Sequence, residues 1–112
     1  MNELADEPIF YSPDRIVERI LKGEDFSKDN IYNIISNPTR QKIIRYCSKE
    51  KRTITEIQKY IGLSYNPTWK HVAQLLDKGL VIGTPGIDKT KGAVVYIETI
   101  KPQGILHGRK IK

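Results

Sequence analysis

Asn66 and Lys70 stand four residues apart, each beside an aromatic residue, in the run Ser64-Tyr65-Asn66-Pro67-Thr68-Trp69-Lys70. On a helix this spacing puts Tyr65 and Trp69 one turn apart on one side, with Asn66 and Lys70 next to them. An Asn amide carries a donor and an acceptor in one plane and matches an adenine edge, while a Lys ammonium reaches guanine or a phosphate. Tyr65 and Trp69 suit a thymine methyl or the sugar-phosphate backbone. The alternative for Trp69 is a core or dimer contact, less favoured because Val72 and Leu75 already fill the opposite face. Ser64 suits the N-cap, and Pro67 is tolerated in a first turn, where no i−4 bond is lost. A helix start built this way holds its positive end and free N–H groups near a phosphate. Thr68 is counted with this set, although it falls on the core side, where its hydroxyl would bond back to the preceding turn. These are groups that read a duplex rather than break bonds. No Ser/His/Asp set, metal-ligand cluster or phosphate-cradling glycine loop is apparent, so neither an enzyme nor a cofactor is expected.

The elements that must position this run lie on either side of it. Thr53 to Ile61 reads as a short helix with Ile57, Tyr60 and Ile61 on one side, started by Thr53 and Glu56 at capping-box spacing. Gly62-Leu63-Ser64 is the turn, and Val72, Leu75, Leu76 and Leu80 give the second helix, about 65–78, its apolar face. Upstream, Pro38 opens a helix to about Lys49, with Ile43, Ile44 and Cys47 inward and Arg40, Lys42 and Arg45 elsewhere on its surface. A lone cysteine in an apolar row is expected to be a small buried hydrophobe. Thr53-Ile54-Thr55 is β-branched enough to add a short strand to a later hairpin. That hairpin begins at Leu80-Val81-Ile82, turns out at Thr84-Pro85-Gly86, and returns along Ala93 to Ile100. Its polar tip, Asp88 to Gly92, is too long for a two-residue turn.

Charge divides along the chain. Residues 1–39 carry four basic and eight acidic side chains, 40–91 carry eleven and four, and 92–112 carry four and one. The net charge of +6 therefore belongs to the two-helix unit and the residues after it, the balance expected of a partner for a polyanion. Lys89 and Lys91 at the hairpin tip are candidates for phosphate or minor-groove contact, and Arg40, Lys42, Lys51 and Arg52 for further phosphates. His71 is expected to stay neutral at a helix interface. In the acidic third, Ser12-Pro13 opens a helix with the stripe Ile16, Val17, Ile20 and Leu21, stopped by Gly23. Ser27 caps another helix with Ile31, Ile34 and Ile35 inward, ended at Asn37-Pro38. The acidic start leads to Ile9-Phe10-Tyr11, an aromatic pair expected to dock on the domain or on a partner subunit.

The expected fold is α+β, mostly α: a winged helix-turn-helix, meaning a three-helix core and a β-hairpin wing, with an extra N-terminal helix. Residues 1–36 form a dimerising segment, 37–100 the DNA-binding domain, and 101–112 a basic flexible tail. A chain of 112 residues has room for one small core, and a dimer would add buried surface. No apolar run approaches a bilayer span and the acidic start is unlike a signal peptide, so a cytoplasmic protein with no membrane partner is expected.

Asn37-Pro38-Thr39-Arg40 followed by Ile43 and Ile44, then Thr55-Glu56-Ile57, Gly62-Leu63-Ser64, His71-Val72, Leu75 and Gly79-Leu80-Val81 stand in a telling order. Residues 37–100 thereby resemble the winged-helix transcriptional regulators of the ArsR and MarR groups, especially their archaeal relatives. The resemblance implies a homodimer that binds an operator in double-stranded DNA, in a nucleoid or, for a virus, in the host cytoplasm. It names no effector. The thiolate ligands of ArsR metal sensors have no counterpart, since Cys47 has no second thiol nearby, and His71 and His107 form no cluster. Two rivals use the same face: a nonspecific architectural DNA-binding protein, and a winged helix used as a protein-interaction module.

Overall fold

In a computed structural model describing residues 12–26 and 34–102, each helix starts and stops where side-chain chemistry requires. Helix α1 spans Pro13–Leu21, with proline at its first position. It ends at Gly23 (φ 102°), where the Gly23 N–H reaches Ile20 O and the Glu24 N–H reaches Arg19 O. That pair of bonds with a left-handed glycine is a Schellman ending. Helix α2 spans Pro38–Lys49 and is capped by Asn37, whose Oδ1 accepts from the N–H groups of Thr39 (2.8 Å) and Arg40 (3.2 Å). Strand β1 is only Arg52–Thr53, and helix α3, Ile54–Ile61, follows at once. Thr53 does double duty, pairing in β1 while its hydroxyl accepts from Glu56 N and Glu56 accepts from Thr53 N. This reciprocal box contributes on the order of 1 kcal/mol to a helix of two turns.

Helix α4 covers Tyr65–Asp77 and closes with a second Schellman pair, from Gly79 N to Leu76 O and from Leu80 N to Leu75 O. Strands β2, Val81–Asp88, and β3, Gly92–Thr99, complete an antiparallel sheet of order β1-β3-β2. The described residues thus form an α+β fold of four helices and three strands, more helix than strand. One core holds it together: Ile16, Val17 and Ile20 from α1, Ile43, Ile44 and Cys47 from α2, Ile57 from α3, Val72 and Leu75 from α4, and Ile97 from β3. The Thr99 hydroxyl donates to Ile44 O at 2.6 Å inside this core and fixes β3 on α2. Gln41, 2% exposed, receives the Phe26 N–H and donates to Ile35 O, so its burial is compensated at both ends.

The structure bears on three expectations. In the α1 stripe Ile16, Val17 and Ile20 are 0–1% exposed within a single chain and join the same core, whereas Leu21 is 39% exposed. Ile34 to Ser36 is a turn, and the rest of the helix expected after Ser27, residues 27–33, lies outside the described residues, as do residues 1–11 and 103–112. The hairpin does not turn out at Thr84-Pro85-Gly86. It pairs without a break from Val81↔Thr99 to Asp88↔Gly92, leaving Lys89-Thr90-Lys91 as the tip. Two features make this possible. Pro85 sits on the edge strand, where a missing N–H need not cost a ladder bond. At Gly86 a Cβ would run into the Tyr96 ring, so glycine lets that ring cross β2.

Candidate nucleic-acid interface

Ser64 takes the N-cap position of α4 with extended backbone, yet its hydroxyl makes no capping bond. Pro67 occupies the third helical position and has no N–H to offer, which removes one of the two usual donors to a capping hydroxyl. The Ser64 carbonyl instead collects both the N–H (3.2 Å) and the hydroxyl (2.8 Å) of Thr68. Thr68 is 0% exposed, so it leaves the set of surface-contact candidates. A hydroxyl bound to its own preceding turn can sit in a core without an unmet partner, and that is its role.

Beyond Thr68 the front of α4 faces solvent. Ser64, Asn66 and Lys70 are exposed, and Tyr65 is 54% exposed. Trp69 is half-buried against the core, and its indole N–H donates to the Tyr65 hydroxyl at 2.6 Å. The two rings meet edge to face, at 6.5 Å and 76°. Trp69 therefore holds Tyr65 in place and has spent its own donor, while the Tyr65 hydroxyl keeps a proton to give outward.

Tyr65 and Trp69 also form one wall of an open groove of about 410 Å³. The other wall is the hairpin, through Pro85, Lys91, Val94 and Val95, and the end is closed by Thr53 and Thr55. At the tip, Asp88 Oδ1 accepts from the N–H groups of Thr90 (2.7 Å) and Lys91 (3.0 Å). Those bonds hold the Asp88 carboxyl below its ordinary range and fold the tip so that Lys89 and Lys91 are both exposed. Lys70, Lys89 and Lys91 enter no ion pair among the described residues.

The basic residues of α2 and β1 are deployed differently. Arg40 donates from Nε to His71 Nδ1 and from Nη1 to Ile34 O, both at 3.0 Å, so it ties α2 to α4. Arg45 donates to Ile20 O and Glu24 O, clamping the end of α1. Arg52 lies 4.0 Å from the Tyr46 ring, which stacks on Tyr60 at 3.9 Å, and Lys42 and Lys51 sit over Tyr60 and Tyr96. Sequence reading missed this column because Tyr46 and Tyr60 lie on different helices, with no shared periodicity to link them. It also missed the groove, whose hairpin wall depended on the strand pairing continuing past Pro85.

His71 is neutral in this arrangement, since Nδ1 must present a lone pair to Arg40. Burial and then the Arg40 charge push its pKa below the usual value. In the unfolded chain it titrates near 6.5, so the stabilisation exists above about pH 6.5 and is lost as pH falls toward the folded value. Urea midpoints are expected to drop between pH 7 and 5 more in the native protein than in His71→Gln. Equal drops would mean that His71 carries no linkage. Cys47 has no comparable part to play, because burial raises its thiol to about 12 and removes the reactive thiolate.

No family model matches the chain, and no curated protein or solved structure matches it.

Proposed function

We propose that this chain is a winged-helix regulator that binds double-stranded DNA sequence-specifically. The observation that carries the reading is the exposed front of α4, with Tyr65, Asn66 and Lys70 facing solvent beside a hairpin whose tip presents Lys89 and Lys91. A helix of this size fits a major groove, and α4 enters it with Asn66 and Lys70 toward base edges. The hairpin is then the wing, its two lysines on the phosphates or in the minor groove. The order α2, β1, α3, α4, β2, β3 with sheet order β1-β3-β2 supports a winged helix. The basic balance of residues 40–112 supports a polyanionic partner.

The protein acts as a homodimer on an operator of two half-sites. Sedimentation at micromolar concentration is expected to give a dimer, and a monomer there would remove this part of the reading.

Selection from a random DNA pool tests the function directly. Enrichment of one motif, with binding that weakens steeply as salt rises, is the expected result. Binding with no enriched motif would make the protein architectural. No salt-dependent binding at all would make the same face a protein-interaction surface. Trp69, the sole tryptophan, is expected to change its emission when duplex is added, because its hydroxyl partner Tyr65 meets the DNA. Unchanged emission with DNA demonstrably bound would take the Tyr65–Trp69 pair out of the interface.

A further inference from the structure

Strand β3 is matched to β2 from Gly92 to Thr99, but on its other side β1 covers Tyr96 and Ile97 alone. The chain leaves β1 after Thr53 to enter α3, so from Gly92 to Val95 that edge carries no strand among the described residues. Four residues at about 3.3 Å each make an open edge of roughly 13 Å. Sheet edges are commonly blunted by a proline or a charge. The outer strand β2 has Pro85 in the middle of its free edge, whereas Gly92-Ala93-Val94-Val95 holds neither, and Val95 is 46% exposed. The open edge borders the groove of about 410 Å³ whose far wall is Tyr65 and Trp69. The lining is mostly apolar, and Lys91 is the one charged residue in it among those described. Asp88, at the same tip, is taken up by the N–H groups of Thr90 and Lys91, and Lys91 enters no ion pair among the described residues.

We infer that this edge takes up a strand from a partner protein, an extended segment of alternating apolar and acidic side chains added to the sheet beside β3. Main-chain bonds to the edge supply affinity, and alternate side chains supply selection. One face of such a strand meets Tyr65, Trp69 and Val95, which suits aliphatic or aromatic side chains. Where it passes Lys91 it suits a carboxylate. Charge complementarity selects an acidic partner over a basic one, because residues 40–112 carry fifteen basic side chains against five acidic. A nucleic-acid strand could also meet Lys91, but its phosphates only accept, so the carbonyls of the edge would stay unmatched. A peptide strand offers N–H and C=O in the alternation that the edge itself has. The inference does not depend on DNA binding. If both readings hold, peptide and duplex compete, since both use Tyr65 and Lys91.

The full chain tests this with a pool of capped hexapeptides that place glutamate at alternate positions and valine, isoleucine or phenylalanine between them. Binding is expected to change Trp69 emission and to shift the backbone amide resonances of residues 92–95. A pool methylated on its main-chain nitrogens should bind at least about tenfold more weakly, because it cannot donate to the edge. Lys91→Glu should weaken the glutamate pool about fivefold and strengthen a pool with lysine in place of glutamate. Equal binding of the methylated pool would overturn the inference, since the groove would then hold apolar groups without an added strand. An unchanged preference for glutamate in Lys91→Glu would overturn the choice of an acidic partner. If no peptide moves residues 92–95 while duplex DNA does, the groove belongs to a nucleic-acid strand, and the inference fails while the DNA reading stands.

Discussion

Truncating Leu75 to alanine is expected to lower the unfolding free energy by about 3 kcal/mol. Leu75 is 0% exposed on the inner face of α4, a helix that packs on α2, α3 and β2. The missing methyl and methine groups leave a cavity that the surrounding core closes only in part, and that residual space adds to the transfer cost. Against a total of about 5–15 kcal/mol the loss is a large fraction of the stability of so small a domain. Leu75→Met conserves volume and should cost less than about 1.5 kcal/mol. Urea denaturation reads both, as a shift of midpoint at unchanged slope. A loss under about 1 kcal/mol for the alanine variant would mean that α4 is not anchored through this face. Anchoring matters to the proposed function, because Asn66 and Lys70 ride on the same helix, nearer its start.

The positions that sequence reading placed well are those governed by local chemistry. Asn37-Pro38 starts α2, Thr53 and Glu56 start α3, and Gly23, Gly62 and Gly79 sit at left-handed stops. Each of these depends on residues within a turn of one another. Thr68 was also legible in kind, as a buried hydroxyl bonded back to Ser64, though not as a surface contact. The failures involve distance along the chain. Whether Pro85 ended β2 depended on which edge it occupied, and whether Gly86 was a turn depended on Tyr96 lying across it. The α1 stripe looked spare because residues 37–100 already had an apolar set. Only assembly shows that Ile16, Val17 and Ile20 complete one core rather than begin a second. Basic residues show the same limit. Arg40, Arg45 and Arg52 are equal to Lys70 by type, and their hydrogen bonds to carbonyls, to His71 and to Glu50 give them fixed structural duties.

That sorting of the cations sets up the largest functional effect. Arginine's planar fork suits the buried and bidentate positions, and the flexible lysines are left on the α4 front and the hairpin tip. The triple variant K70Q/K89Q/K91Q is therefore expected to weaken duplex binding on the order of a hundredfold at low salt. The slope of log affinity against log salt should fall in magnitude by about 2.7, near 0.9 for each phosphate no longer neutralised. Folding should be untouched, since the three side chains are exposed and hold no ion pair among the described residues. Lys22→Gln serves as the control. That lysine pairs with Glu18 at 3.1 Å at the end of α1, away from the front of α4 and the hairpin tip, and its loss should leave the slope unchanged. Asn66→Ala should behave in the opposite sense, with an unchanged slope but reduced preference at an adenine, by about 1–3 kcal/mol. Measured across a salt series on the selected duplex, the two variants separate positioning from reading. A triple variant with the native slope would place the phosphates elsewhere, and with them the proposed wing.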